Sequence, residues 1–452
     1  MKRLRRPKPS WRTALPLAAL VLIAGMARAE DAPVVEEILE ILRSRGQIDE
    51  QQYHELRERA RTEAESRGRA SDRDFRVYWK DGLRMETGDG DFELRIGGRA
   101  QLDAAVIAPS QAVEDLFGDG DPQTGVRFRR ARIYLRGVLY RDFDFKFQYD
   151  FEGGEVGFKD VYVGASHVPI LQRIQIGHFK EPFSLEQLTS SNDIVFMERS
   201  LMSPFEEGRN VGIAAFLHTA DKRLTLAAGG FREVDRFGDG FGANSDYDLT
   251  ARVTFLPWFS EEEGELLHLG LSYQHRFRHG SEDRFRQRPE ASLGRRLVDT
   301  GAFQTNDADL LNPELALVAG PFAFQAEYAQ SFFDTPDGGD PRFFGWYAQA
   351  SYFLTGEHLP YKAKAGKFER LHPRRDFGWR PGSGWGAWQV GARLSQLNLA
   401  SGGIDGGRLT DLTLGLNWYL NPNMRVMLNY VYGDRSPIGS ENVWQTRFQI
   451  AF

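Results

Sequence analysis

The chain of 452 residues contains no cysteine. That absence excludes disulfide staples, thiol nucleophiles and thiolate metal sites. Long apolar runs are missing too: beyond the first 30 residues nothing approaches the roughly 18 consecutive apolar residues of a membrane-spanning helix. Positive charge is not in excess, since 57 Lys+Arg face 63 Asp+Glu for a net charge of −6. A net acidic chain argues against nucleic acid as a partner. Aromatic residues, by contrast, are plentiful, with 33 Phe, 15 Tyr and 9 Trp. So many rings are incompatible with a chain that avoids a core. The length suits two or three soluble domains or one large all-β barrel.

The chain opens on Met1, Lys2, Arg3, Leu4, Arg5 and Arg6, runs through apolar residues from Ala14 to Met26, and reaches Ala27-Arg28-Ala29. A basic start, a short apolar middle and a small-x-small site predict a cleaved secretory signal peptide over 1–29. An uncleaved anchor is the alternative, but the run is short and no stop-transfer pattern follows. Cleavage removes seven basic residues and no acid, which leaves 50 basic against 63 acidic residues and a net charge of −13. Residues 30–74 are expected to form a helical or coiled-coil periplasmic segment and linker. Val35, Ile38, Leu39 and Leu42 fall at helical spacing, Gly46 breaks the pattern, Asp49 is placed to cap, and Tyr53, Leu56 and Ala60 resume it. Short helices need a partner for their apolar stripe. A helical hairpin, a coiled-coil oligomer and a solvated tether are the alternatives.

From Phe75 onward the period changes to two, which marks 75–452 as a second domain. In the run from Asp142 to Phe151 every odd residue is aromatic and every even one polar or charged. A strand sends alternate side chains to opposite faces, so one face is aromatic and the other hydrophilic. The pattern recurs in Leu249-Ala251-Val253-Phe255, in Leu267-Leu269-Leu271-Tyr273 and in Leu412-Leu414-Leu416-Trp418. Sixteen such segments start near residues 92, 128, 143, 158, 171, 209, 223, 247, 265, 311, 322, 343, 385, 407, 423 and 443. Short turns at Arg141-Asp142, Asp221-Lys222, Gly320-Pro321 and Asn421-Pro422 alternate with long loops at 105–127, 180–208, 233–246 and 277–310. The segment 355–384 is long where the alternation expects a short turn.

A soluble sandwich would alternate as well. Bulky aromatics near strand ends, alternating short and long connections and an even strand count instead predict an all-β, sixteen-stranded antiparallel transmembrane barrel of an outer membrane. Closure follows from the solvent, because each unpaired backbone group in hydrocarbon costs several kcal/mol. Once the aromatic face meets lipid, the opposite face lines a wet interior wide enough for a channel. Arg130, Arg132 and Arg136 share a parity opposite to Ile133 and Leu135 and form one inward row. Arg284, Arg286 and Arg288 lie on one side of an extended loop segment. Like charges two residues apart on a strand are about 6.7 Å apart and repel by roughly 0.6 kcal/mol in water. Such rows either serve passing anions or pair with lumenal acids such as Asp142, Asp144, Asp150 and Asp160 in a structural lattice. The charge pattern leaves both open.

Other classes fare worse. An outer-membrane lipase or protease needs a serine beside an oriented histidine. His268 and His275 lie in one strand and His167 and His218 at strand ends, with no activating motif around a serine, so no enzyme is expected. A plugged adhesive barrel is conceivable through the acidic stretch Glu114-Asp115 to Asp119-Gly120-Asp121, whose spacing is too loose for a defined calcium loop. Gly238-Asp239-Gly240-Phe241-Gly242 has no helix behind it and is not a nucleotide site. No cofactor or metal is expected.

Several motifs carry a resemblance. These are Tyr78-Trp79-Lys80-Asp81-Gly82-Leu83, Ile96-Gly97-Gly98-Arg99, Phe128-Arg129-Arg130-Ala131-Arg132 and Gly157-Phe158-Lys159-Asp160. Further on stand Glu181-Pro182-Phe183-Ser184-Leu185-Glu186, Thr189-Ser190-Ser191, Met197-Glu198-Arg199, Tyr347-Ala348-Gln349 and Leu354-Thr355-Gly356-Glu357. From Val77 to Phe452 the chain resembles the phosphate-selective porin O and P family of Gram-negative outer membranes. The resemblance implies a homotrimer of sixteen-stranded barrels embedded in outer-membrane lipid and lipopolysaccharide. It further implies an arginine ladder, a third loop folded inward, and a short N-terminal coiled coil. Passive diffusion of small anions such as phosphate or polyphosphate would follow, or general diffusion of small polar solutes without phosphate specificity. Carried over, the ladder comprises Arg99, Arg129, Arg130, Arg199, Arg284, Arg286 and Arg288, and Asp160 matches the constriction acid that helps release the anion. Two positions depart from the phosphate-specific pattern: Gln187 replaces a constriction lysine, and Lys180 stands where lysine is unusual.

Overall fold

The computed structural model describes residues 40–41, 43–45, 49–55, 57–58, 74–117, 124–206, 208–241 and 246–452. The expected signal peptide, much of the 33–67 pattern and Asp119–Asp121 lie outside the described residues. The chain divides into two units, residues 1–74 and 75–452. In the first, Asp49 caps a helical stretch reciprocally. Its carboxylate accepts from the Gln52 amide at 2.7 Å, while the Gln52 side chain accepts from the Asp49 amide at 3.0 Å.

In the second unit, sixteen long strands among the described residues close into an antiparallel barrel. They are β1 (Phe92–Pro109), β2 (Thr124–Leu139), β3 (Phe143–Asp150), β4 (Gly157–Val168), β5 (Gln172–Phe179), β6 (Asn210–His218), β7 (Leu224–Arg232) and β8 (Tyr247–Ser260). The second half comprises β9 (Glu265–Asp283), β10 (Phe303–Ala319), β11 (Phe322–Asp334), β12 (Arg342–Phe353), β13 (Ala387–Ser401), β14 (Ile404–Asn421), β15 (Met424–Arg435) and β16 (Gly439–Ala451). Each pairs with its neighbours, and β16 closes on β1 from Glu441 opposite Pro109 to Ala451 opposite Arg99. The last strand therefore reaches only to Arg99. Below that step a hairpin of Phe75–Trp79 and Leu83–Thr87 pairs with residues 93–96 of β1 and covers the edge the stagger leaves open.

Sidedness excludes a soluble sandwich. In β9 the inward Gln274, Arg276 and Arg278 are at most 1% exposed, while the outward Leu269 and Leu271 are 42% and 46% exposed. A water-soluble fold buries the opposite set. Aromatic rings mark both rims of the outer wall: Trp258, Phe322 and Tyr352 near the short turns, Tyr247, Phe332 and Tyr432 near the far ends of their strands. Short connections define the periplasmic end. Four strands run further than the alternation predicts. β1 reaches Pro109 and β2 begins at Thr124, so their loop is 110–123 rather than 105–127. β9 extends to Asp283 and β10 begins at Phe303, so the loop between them is 284–302 rather than 277–310.

The lumen is filled unevenly. Phe183, Leu201, Met202 and Phe205 of the loop 180–209 pack with Phe285 and Leu297 of the loop 284–302 on inward residues of β10 to β14, including Leu310, Phe333, Phe343 and Leu409. From the periplasmic end the long turn 354–386 sends Leu359, Tyr361, Phe368 and Leu371 inside, against Leu256, Leu266, Val318 and Tyr419 of the wall. Gly366 lets the turn tip close on the wall. Its φ is +57°, and a Cβ there would press on Arg252 and Thr254 at 3.0 Å. These inserts pack on the inward residues of β8 to β14.

Candidate functional site

The third loop, 180–209, is held along its length by the wall. Ser184 caps the short helix α1 (Leu185–Leu188), its hydroxyl accepting from the Gln187 amide at 3.1 Å and donating to Glu206 at 2.6 Å. The amides of Leu185 and Glu186 donate to the Glu327 carboxylate of β11 at 2.9 and 2.8 Å. Three inward arginines complete the attachment. Arg393 of β13 donates to Glu186 at 3.0 Å and Glu290 at 2.8 Å, and to the Glu198 carbonyl at 2.8 Å. Arg425 of β15 binds the carbonyls of Ile194 and Val195 at 2.8 and 2.9 Å. Arg447 of β16 pairs with Asp103 at 2.6 Å and Glu198 at 2.7 Å. These wall arginines hold a loop and do not line a path. Their inward parity was readable, but their partners were not.

Above the loop lies a cavity of about 310 Å³ lined by Arg127, Arg129, Arg130, Arg199 and Arg288 together with Glu152, Glu198, Glu206 and Glu290. Two neighbouring arginines of β2 both face inward because the ladder slips. Gln101 pairs with Arg130 but Leu102 with Phe128, so Arg129 is an extra, bulged residue. Arg129 forms a two-pronged ion pair with Glu198 at 2.9 and 3.0 Å, and Arg130 donates to Gln101 at 2.8 Å. Five basic and four acidic side chains line this chamber.

Below it the balance tips. A second bulge, in β4, pairs Phe147 with Val161 but Tyr149 with Phe158, which turns both Lys159 and Asp160 into the lumen. Asp160 is shared by Lys146 and by Arg209, the latter at 2.6 Å. Asp150 is shared by Arg132 at 2.7 Å and Lys159 at 4.0 Å. Each carboxylate thus carries two cations. Arg99 reaches a neutral partner, the Ser191 hydroxyl, at 2.9 Å. Lys180 sits on backbone oxygens, the Gln187 carbonyl and that of Thr189 at 3.4 Å. Arg199 binds the same two carbonyls at 3.2 and 3.0 Å. The two departures from the family pattern, Lys180 and Gln187, are therefore in contact.

The remaining expected residues separate. Arg136 stands lower, opposite Arg95 and Lys146 in the ladders. Arg284 is exposed and bound to Asp299 at 2.8 Å, and Arg286 is exposed on a two-residue strand facing Asp299. With Phe285 buried between them, these two point away from the cavity and only Arg288 of the three lines it. The lattice of paired charges includes Asp144, which binds Arg173 at 2.7 and 2.8 Å, as well as Asp150 and Asp160 with the partners above. The Asp142 carboxylate, by contrast, is exposed and meets only His167, at 2.8 Å, among the described residues. Lys146, Lys159 and Arg209 were not singled out from sequence. Lys146 lies on the polar face of its strand, a legible signal.

Residues 95–452 match the family model described as phosphate-selective porin O and P. The chain belongs to that family. Among its relatives is Porin O of Pseudomonas aeruginosa, 26% identical over 414 residues, covering 82% of this chain and 89% of the relative. A Caulobacter vibrioides protein described as uncharacterized is 28% identical over 368 residues, 78% of this chain and 71% of its own. Among solved structures, OmpT, an outer membrane protein of Vibrio cholerae, superposes with a TM-score of 0.50 at 9% identity, over 80% of this chain and 98% of that one. The fold is thus a sixteen-stranded outer-membrane porin, a channel rather than an enzyme. Within this porin the candidate site comprises the chamber beside the third loop and the charged cluster around Asp150 and Asp160.

Proposed function

We propose that this porin is a passive diffusion channel that prefers small anions, phosphate among them. One observation carries the reading: at the constriction Asp150 and Asp160 are each outnumbered two to one by cations, and the hydrogen-bond partners of Arg99 and Lys180 among the described residues are neutral. Basic rings of this kind select anions. General diffusion of small polar solutes without phosphate specificity is the second reading, favoured by Gln187 where a lysine is expected. The exported chain, freed of residues 1–29, works in the outer membrane as a homotrimer amid lipid and lipopolysaccharide, with residues 30–74 as a helical periplasmic segment. The test is the reversal potential of the purified protein in a planar bilayer under a salt gradient. Anion preference is expected, and cation preference overturns the proposal.

The same measurement has a pH dependence. Burial, and then the neighbouring Glu186 carboxylate, raise the pKa of Glu206, with Arg199 opposing at 4.0 Å. Glu206 also faces Glu327 and the Ser184 hydroxyl. A raised acid stays neutral above the ordinary carboxylate range and ionises as pH climbs further, adding a negative charge to the chamber wall. Anion preference should therefore decline on the alkaline side, and Glu206→Gln should flatten that decline. An identical slope in the variant would assign it to another group.

A further inference from the structure

The long turn 354–386 has a second half with a different destination. Residues 374–386 lie on the outside of the periplasmic rim. The Phe377 amide donates to the Leu420 carbonyl at 2.7 Å, and its ring packs edge-on against Trp418 at 4.9 Å. Trp418 stacks on Trp388 at 5.1 Å, and both indole N–H groups donate to the Trp385 carbonyl, at 2.8 and 3.2 Å. Trp388 and Trp418 have the outward, lipid-facing parity of β13 and β14, so this foot continues the apolar wall. Two further indoles project from it, Trp379 at 92% and Trp385 at 77% exposure. Beside them Arg374, Arg375 and Arg380 are exposed, against one acid, Asp376. Arg375 braces the foot through the Gly382 carbonyl at 2.8 Å. The Arg380 carbonyl accepts from the Ser383 amide at 3.1 Å, whereas its guanidinium has no ion pair or hydrogen bond among the described residues.

Bare indoles are unfavourable in water and stable at a membrane boundary, where an apolar body and a polar edge meet their own media. Arginine on the same ridge keeps its stem on apolar surface and its head among phosphates. A surplus of two positive charges against a zwitterionic surface gains little, but against an anionic one it gains about fivefold in affinity per guanidinium. We propose that residues 374–386 form a binding site for anionic phospholipid headgroups of the periplasmic leaflet. Trp379 and Trp385 sit at the acyl boundary, and Arg374, Arg375 and Arg380 sit on the phosphates. The inner half of the same turn occupies the lumen, so the lipid-bound foot and the lumenal insert are one continuous segment.

The test uses the full-length protein in vesicles of phosphatidylcholine alone or mixed with phosphatidylglycerol, both carrying brominated acyl chains. Quenching of Trp379 and Trp385, isolated by difference against Trp379→Phe and Trp385→Phe, is expected to rise with phosphatidylglycerol and to resist soluble inorganic phosphate. Arg380→Gln, which breaks no side-chain hydrogen bond or ion pair among the described residues, should weaken the phosphatidylglycerol dependence about fivefold. Adding Arg374→Gln and Arg375→Gln should weaken it further. Equal quenching in both vesicles, or an unchanged dependence in Arg380→Gln and in the triple variant, overturns the site. Shielding of the two indoles that follows protein concentration instead of lipid would make the foot a contact between copies and overturn it equally.

Discussion

Replacing Arg393 by alanine is expected to free the third loop while leaving the barrel folded. This guanidinium is 1% exposed and joins the wall to two separate inserts, through Glu186 of the third loop and Glu290 of the loop 284–302. It also covers the Phe196 ring at 4.6 Å. Without it two buried carboxylates lose their cation, a loss of about 3–5 kcal/mol. The chain relieves that cost by letting the loop swing away from β13, since the strand ladders do not depend on Arg393. Single-channel conductance should rise, anion preference should drop, and added protease should nick residues 180–209 while the barrel stays resistant. Native conductance together with an uncut loop would mean that Glu327, Arg425 and Arg447 suffice to hold it.

The second large effect concerns release. Asp160→Asn removes the carboxylate that Lys146 and Arg209 share and leaves both cations facing the path. One unit charge about 4 Å from an anion is worth up to about 4 kcal/mol at an effective dielectric of 20, and water in the lumen screens most of it. A residual of about 1.4 kcal/mol still tightens binding tenfold. Phosphate should then block chloride current at about a tenth of the wild-type concentration, and saturating phosphate conductance should fall because a tightly held ion leaves slowly. Unchanged block would sever Asp160 from the conduction pathway.

Strand parity made the architecture legible because the outer wall meets hydrocarbon and tolerates few exceptions. The starts near residues 92, 143, 247, 265 and 322 agree with the strands, and the closed wall follows from them. Parity also turned Arg130, Arg132 and Arg136 inward. It failed at the two bulges, because an alternation rule admits one of two adjacent residues to the lumen while a bulge admits both. Arg129 and Lys159 enter the site that way, the first suggested only by family resemblance. The rule could not separate an arginine that holds a loop, such as Arg425, from one that faces the path, such as Arg99. Both are inward, and the difference lies in loop carbonyls more than 200 residues away in the chain. The split of Arg284 and Arg286 from Arg288 depends on Asp299, whose place across a two-residue strand has no periodic signature. The long turn at 354–386 stood out by its length, yet its division between lumen and outer rim depends on which aromatic rings find partners.

Lys180 sits on the carbonyl of Gln187. Its ammonium rests on the backbone of that position, seven residues on in the chain, so the third loop carries a cation beside a residue that supplies none of its own. Because that ammonium is fixed by backbone oxygens, any side chain at 187 leaves its anchor intact, and the charge there depends on residue 180 alone.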